Sequence, residues 1–571
     1  MSLPYVSDSR RLTGASLVLP VPGAILEVAA PPELKTKLRV LWRHSVKRLL
    51  TRIGWHHELV VTRDQGPSQI LAISAPIDGL LAATHVTEWA WEAALTRMGL
   101  AAALPINEIT DRVLSRIVRG AQPDLAALFR AAQLRRIPSL LSEKELSLGE
   151  GANCKVYPFS DMPMPEEIAW RPKKRRIPIA LVTGTNGKTT TVRLLARMFR
   201  EAGSCVGFCS TDYVQIGAEV LARDDYSGPT GARLVLRHPD TEAAVLEVAR
   251  GGMLRRGLQV QDADVGIVTN VADDHLGENG IHTLAQLAEA KFTILRGLRR
   301  DAPVVVNADD VYCRDFARRI EHPIFWFGLQ RPAGDAIRAR KGRAGLCYVA
   351  NGELVREFER EREVISAVAK LPIAFAGAAL YNVANALAAC AAASALALPL
   401  VAIRAALHSF GLDPADNPGR ANIYAINGAQ VLIDYGHNPD GVAAILSAAT
   451  GISHQRLLIG TGLPGDRSDE AAQQIGALVA QAKPQRVIVK EMAMYLRGRP
   501  EGQLSGILRA SLKQHGHSVR KTGYARSEVE LLDATLAWLK PGDLAVLFLH
   551  ENVPESAARL SALAETSRAP Q

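Results

Sequence analysis

IALVTGTNGKTTT, residues 179–191, is the stretch on which the reading of this chain turns. Ile179, Ala180, Leu181 and Val182 form a short apolar run of the kind that makes a buried strand. Gly184, Thr185, Asn186, Gly187, Lys188, Thr189 and Thr190 then read as a compressed phosphate loop. From residue 191 to 202 the pattern is that of an amphipathic helix, with Val192, Leu194, Leu195 and Met198 apolar. Glycines let successive backbone N–H groups turn inward around a polyphosphate. The helix start adds its positive dipole end, Lys188 a point charge, and Thr189 a hydroxyl for Mg²⁺. The ligands expected at this loop are therefore a polyphosphate, such as that of ATP, and Mg²⁺.

Downstream, strands and helices alternate as in a parallel α/β sheet. Residues 243–247 read as a strand with Glu247 at its carboxyl end, where such sheets present ligand groups and where a carboxylate can hold Mg²⁺. Asp274 and His275 fall just beyond a strand starting at Val265, and a metal or phosphate role is assigned to His275. Lys291 lies on a helix expected over 283–298; by composition alone it reads as a surface lysine. The Ala-rich run 385–403 reads as a closely packed core helix rather than a membrane span.

With 571 residues, several domains are expected. Hydrophobic and charged contents of 48% and 22% are ordinary for a globular protein. The net charge of +9 suits anionic ligands such as ATP. Aromatics at 5% and the lack of a nucleic-acid motif argue against nucleic acid as a partner. The six cysteines form no CxxC pair and read as reduced thiols of a cytoplasmic protein. The first residues lack a signal-peptide layout, and no membrane association is expected. Adjacent His56 and His57 point to different faces of any regular element and read as surface residues.

GTNGKTTT (184–191), YSGPTGARLVLRHP (226–239), AVLEVARGGMLRRGL (244–258), NVADDHLGENGI (270–281), VLIDYGHNP (431–439) and PGDR (464–467) together resemble the Mur ligase superfamily. Within it, residues 177–552 are most similar to the Mur-ligase module of cyanophycin synthetases. The resemblance implies a central ATPase domain over 177–416 and a Rossmann-like α/β domain over 417–571. An α+β domain over 1–150 and a Pro-rich, basic linker over 151–176, in which no packed element is expected, precede them. It also implies that Lys291 is carbamylated and holds Mg²⁺ with Thr189, Glu247 and His275, and that Lys188, His275 and Lys291 are catalytic. Asn382 and Asn385 would contact adenine, Arg420 the phosphates, and Asp434 the ribose or phosphates, with His437 beside them. Arg497 and Arg499 either clamp a carboxylate or are solvated.

The implied reaction is ATP-dependent amide or isopeptide formation through an acyl phosphate, in aspartate/arginine polymer metabolism. Its partner is an amino-acid, peptide or polymer acceptor. Two features depart from the pattern. The spacing leaves no room for an ATP-grasp module between the N-terminal domain and the phosphate loop. The segment EMAMYLRGR (491–499) lacks the acidic residues expected beside Arg–Gly–Arg. The alternatives are a non-catalytic subunit partnering a full-length cyanophycin synthetase, and a Mur-type ligase for another acceptor. Self-association is left open.

Overall fold

The computed structural model describes residues 3–66, 68–170, 176–274, 276–332, 344–358 and 361–568. His275 lies outside the described residues.

The chain forms α/β layers around a central sheet, in which 11 strands are described. Ile179–Thr183 sits inside it, parallel to Ala243–Glu247 on one side and Val265–Val268 on the other. All five residues of the first two strands are buried, as the unbroken apolar runs require of strands covered on both faces. The register sets Val182 beside Glu247 and Thr183 beside Val268. Three neighbouring strands therefore deliver the phosphate loop, Glu247 and the 269–274 loop to one carboxyl edge. Beyond residue 344 the sheet continues as the antiparallel strands Gly345–Ala350, Glu353–Phe358 and Glu361–Ala367.

The helix after the phosphate loop, Lys188–Glu201, begins one turn before the expected 191, because Lys188, Thr189 and Thr190 already make its first turn. It packs against Leu380–Ala395 and Leu400–Ser409. The expected helix over 385–403 is thus two helices, broken at Ala397, with φ 59°, and Pro399. Alanine lets the first helix lie close to both sheet and helix, and nearly every residue from Asn382 to Ala395 is buried. No described helix is long and apolar enough to cross a membrane.

The N-terminal unit carries a four-stranded antiparallel sheet covered by the helices Pro32–Arg52 and Leu80–Thr96. Trp42 is fully buried between them and donates its indole N–H to the Thr87 carbonyl at 3.1 Å. The linker expectation is corrected here. Lys155–Pro158 forms a strand beside Glu145–Leu148, and Phe159, Met162, Ile168 and Trp170 pack on the N-terminal core. Apolar residues spaced between prolines give no helical or strand period, so this tertiary packing left no sequence pattern. The basic run 171–175 lies outside the described residues.

The C-terminal unit is a six-stranded sheet. Asn422–Ile426 runs antiparallel to Ala429–Asp434; the other strands, Arg456–Thr461, Arg486–Lys490, Thr522–Ala525 and Asp543–Phe548, are parallel. Their carboxyl ends face those of the central sheet across a single cleft, where residues of both edges line one cavity.

Candidate active site

The cleft has a volume of about 940 Å³ and is lined by Gly184 through Thr190 on one side and Arg420, Asp434 and His437 on the other. Gly187 takes φ 83° at the turn into the helix, and a Cβ there would lie 2.0 Å from Asn385 Oδ1. A Cβ on Gly184 would lie 1.8 Å from Thr269 Oγ1. Both positions exclude any side chain, which is what a backbone cradle for phosphate oxygens needs. Lys188 folds over the loop, with its Nζ donating to the Thr185 carbonyl at 2.9 Å.

Glu247 is buried at the floor. Thr189 Oγ1 donates to its Oε2 at 2.8 Å, and Thr211 Oγ1 to its Oε1 at 2.9 Å. A threonine hydroxyl and a buried carboxylate at the foot of a phosphate loop are oxygen donors suited to Mg²⁺. Lys291 joins them in the lining. It ends the helix Leu284–Lys291 and is only 3% exposed, not the surface residue that its composition suggests. Burial is the main force bringing its ammonium pKa down to about 7; Lys188 and Arg250 push the same way against Asp274. A neutral amine near pH 7 is the form that can take up CO₂ as a carbamate, so the residue fits the role implied for it. Among the described residues, no three His, Cys, Asp or Glu side chains gather as a metal cage. The donor set would be mixed, with His275 undescribed.

Asn382 and Asn385 line the cleft but bond inward. Asn382 donates to the Ile373 carbonyl at 2.9 Å, and Asn385 donates to Asn382 Oδ1 at 3.1 Å. From the opposite lobe, Arg420 stacks over the Tyr435 ring at 4.2 Å and reaches Asp212 at 3.5 Å. Asp434 also faces the cleft, yet both its carboxylate oxygens accept backbone N–H groups, from Ala421 and Gly436 at 2.8 Å each. It braces the Arg420 loop. Burial raises its pKa to about 6 against the opposing pull of Arg420. Burial likewise holds His437 neutral, with its pKa down to about 4.

Several contacts around the cleft were not expected. Arg467 of PGDR reaches across to ion-pair with Asp274, which also lies 3.9 Å from His437. Asn186 of the phosphate loop and Asn438 exchange amide hydrogen bonds at 2.9 and 3.3 Å. Asn438 also caps the helix Pro439–Thr450. These contacts clasp the two lobes directly over the phosphate loop. Lys490, Glu528 and His550 form a buried group at the wall, with His550 lining the cleft: Lys490 pairs with Glu528 and lies 3.1 Å from His550 Nδ1. Arg497 lines the cleft and pairs with Asp466 at 2.9 Å. Arg499 instead holds the loop, pairing with Asp469 and donating to the Gly465 and Arg467 carbonyls. PGDR is legible as a motif in the sequence, but its pairing across the cleft leaves no local signal. His56 and His57 are exposed.

Residues 182–393 match the Mur ligase middle domain, and residues 419–548 match the Mur ligase glutamate ligase domain. The cyanophycin synthetase of Crocosphaera subtropica is 35% identical over 412 residues, covering 71% of this chain and 45% of that one. That of a Synechocystis strain is 37% identical over 369 residues, 64% of this chain and 41% of its own. The chain thus spans less than half the length of these curated relatives. A UDP-N-acetylmuramoyl-L-alanyl-D-glutamate–2,6-diaminopimelate ligase of Listeria innocua is 25% identical over 364 residues, 61% of this chain and 69% of that one. Among solved structures, FolC of E. coli in complex with ADP aligns with a TM-score of 0.50 at 19% identity, over 67% of this chain and 89% of that one, a likeness of fold. Two consecutive domain matches, joined by a cleft whose phosphate loop and opposing lobe both lie within them, place this chain in the Mur ligase family.

Proposed function

We propose that this protein is an ATP-dependent, ADP-forming ligase that joins the carboxylate of an acidic acceptor to an amine, in aspartate/arginine polymer metabolism. The observation that carries the reading is the convergence at one cleft. Three adjacent strand ends of the central sheet supply the phosphate loop, Glu247 and the Asp274 loop, while Arg420 and His437 face them from the other lobe. The likeness to cyanophycin synthetases supports the choice of substrates.

A carboxylate does not react directly with an amine, because its oxygen is a poor leaving group. Transfer of the γ-phosphate to that oxygen gives an acyl phosphate, and phosphate departs as the amine attacks. The loop N–H groups and Lys188 hold the phosphate oxygens and offset their charge. Thr189, Glu247 and carbamylated Lys291 would hold Mg²⁺, which supplies further charge neutralisation when bound. The Arg467–Asp274 and Asn186–Asn438 contacts keep the lobes together and exclude water that would hydrolyse the activated acyl group.

The test is product analysis with ATP, β-aspartyl-arginine oligomers or free aspartyl peptides, and a panel of amino acids. ADP and phosphate formed only when acceptor and amine are both present is the expected result. AMP and pyrophosphate, or turnover with neither substrate, rejects the proposal.

A further inference from the structure

The cleft continues past the reacting centre along the segment from Glu247 to Arg256. Glu247, Arg250, Gly251, Gly252, Arg255 and Arg256 all line it, so its wall runs from the floor outward along the helix Arg250–Arg256. Arg250 is tied to Glu278 at 2.9 Å. Arg255 and Arg256, at the outer end, are exposed, and among the described residues neither has a carboxylate partner. Asp225, the acid on the facing loop, spends one carboxylate oxygen on the N–H and hydroxyl of Ser227. A Cβ at Gly251 would meet nothing within 4 Å, so the wall between the two ends is open to a ligand backbone.

The outer end of this helix is fixed from outside. Thr13 N–H donates to the Arg256 carbonyl at 2.9 Å, and Arg10 Nε donates to the Leu254 carbonyl at 3.0 Å. Gly14 and Gly257 meet backbone to backbone; a Cβ on Gly257 would lie 2.4 Å from the Gly14 carbonyl oxygen. The strand Tyr5–Leu12 of the N-terminal unit, with Thr13 and Gly14 that follow it, therefore braces the two arginines.

We propose that Arg255 and Arg256 receive a second carboxylate of the acceptor, and that the N-terminal unit acts by holding them in place. The inference rests on the ligase reading and adds a length requirement to it. Five to six helical residues at about 1.5 Å each separate Arg250 from the pair, roughly 8 Å. An extended chain covers that distance in about two to three residues. The acceptor is thus an acidic oligomer with carboxylates spaced along its backbone, and a lone aspartate bridges only one end. Guanidinium groups pair carboxylates in a planar fork, which suits repeated recognition along such a chain.

The experiment is fluorescence anisotropy with labelled oligo-L-aspartate on the full chain, competed by unlabelled oligo-aspartate and by N-acetyl-aspartate, with Mg²⁺-ATP affinity measured in parallel. Wild type should prefer the oligomer. The double variant R255A/R256A should bind it about tenfold more weakly, with unchanged affinity for Mg²⁺-ATP. The double Lys variant should restore part of the loss, and Arg318→Ala, an exposed arginine that does not line the cleft, should change nothing. The proposal is overturned if wild type does not bind the oligomer, if R255A/R256A binds it as wild type does, or if Arg318→Ala weakens it equally. Oligo-uridylate bound as tightly and lost in the same variant also overturns it, since the site would then be a general anion patch. Failure of the ligase reading appears elsewhere, as absent acceptor-dependent ADP formation while oligomer binding persists.

Discussion

Two buried lysines stand on opposite lobes, one at a strand end and one at a helix end, and their surroundings divide them. Lys490 ends a strand of the C-terminal sheet, pairs with buried Glu528 and touches His550. Glu528 in turn accepts the backbone N–H groups of His550, Glu551 and Asn552, so the charge is answered on every side. Lys291 is as deeply buried in the central lobe, yet no ion pair reaches it among the described residues, and its nearest charges include the cations Lys188 and Arg250. The first arrangement is one that holds a fold together. The second lowers an amine's pKa to about 7 at the cost of stability, a pattern common at functional sites.

The sharpest way to break this contrast is to exchange each lysine for methionine. Lys490→Met leaves the Glu528 carboxylate buried without its partner and should lower stability by about 3–5 kcal/mol, read from denaturant midpoints. Unchanged stability would show that the pair is not holding the wall.

Lys291→Met should act in the opposite direction. The folded chain rejects a proton that the unfolded chain binds between pH 7 and the ordinary lysine value of 10.5. Unfolding is therefore favoured by this group at neutral pH, and its penalty fades as pH rises toward 10.5. The variant should be more stable than wild type at pH 7, by about 1–3 kcal/mol, and the gain should shrink by pH 10. Ligase turnover should fall by about a hundredfold or more, because the metal would lose a ligand. A variant that is both destabilised and active would reverse the assignment.

Arg467→Ala gives the smallest of the three effects. Its loss opens one clasp between the lobes while the Asn186–Asn438 pair remains. Turnover should drop by about tenfold with little change in nucleotide affinity. Equal loss of nucleotide affinity would place Arg467 on the nucleotide instead of on closure.

Much of the central lobe was legible in the sequence because its signals are local. A strand, two glycines, Lys and Thr lie within 13 consecutive residues, and Glu247 closes a recognisable apolar strand. The α/β layers followed from the same alternation. In the other lobe the α/β layering was equally legible, but its buried polar group was not. Lys490, Glu528 and His550 meet only because parallel strands set distant loops side by side, and no spacing along the chain announces that. The burial of Lys291 was invisible for the same reason: its eight-residue helix has an ordinary composition, and the cleft that encloses it comes from three strand ends. The linker misled because prolines masked side chains that pack on the N-terminal core.

The central claim is that a nucleotide's phosphates seat at residues 184–190, and calorimetric titration of Mg²⁺-ATP into wild type and Gly187→Val tests it most directly. The added side chain would start 2.0 Å from Asn385 Oδ1 and force apart the loop backbone that is to cradle the phosphate oxygens. The account predicts saturable binding to wild type and loss of at least about a hundredfold in affinity in the variant, measured at a temperature where its circular dichroism shows it folded, since the strain at position 187 also lowers its melting temperature. Equal binding by a folded Gly187→Val protein, or no binding by wild type, would contradict it.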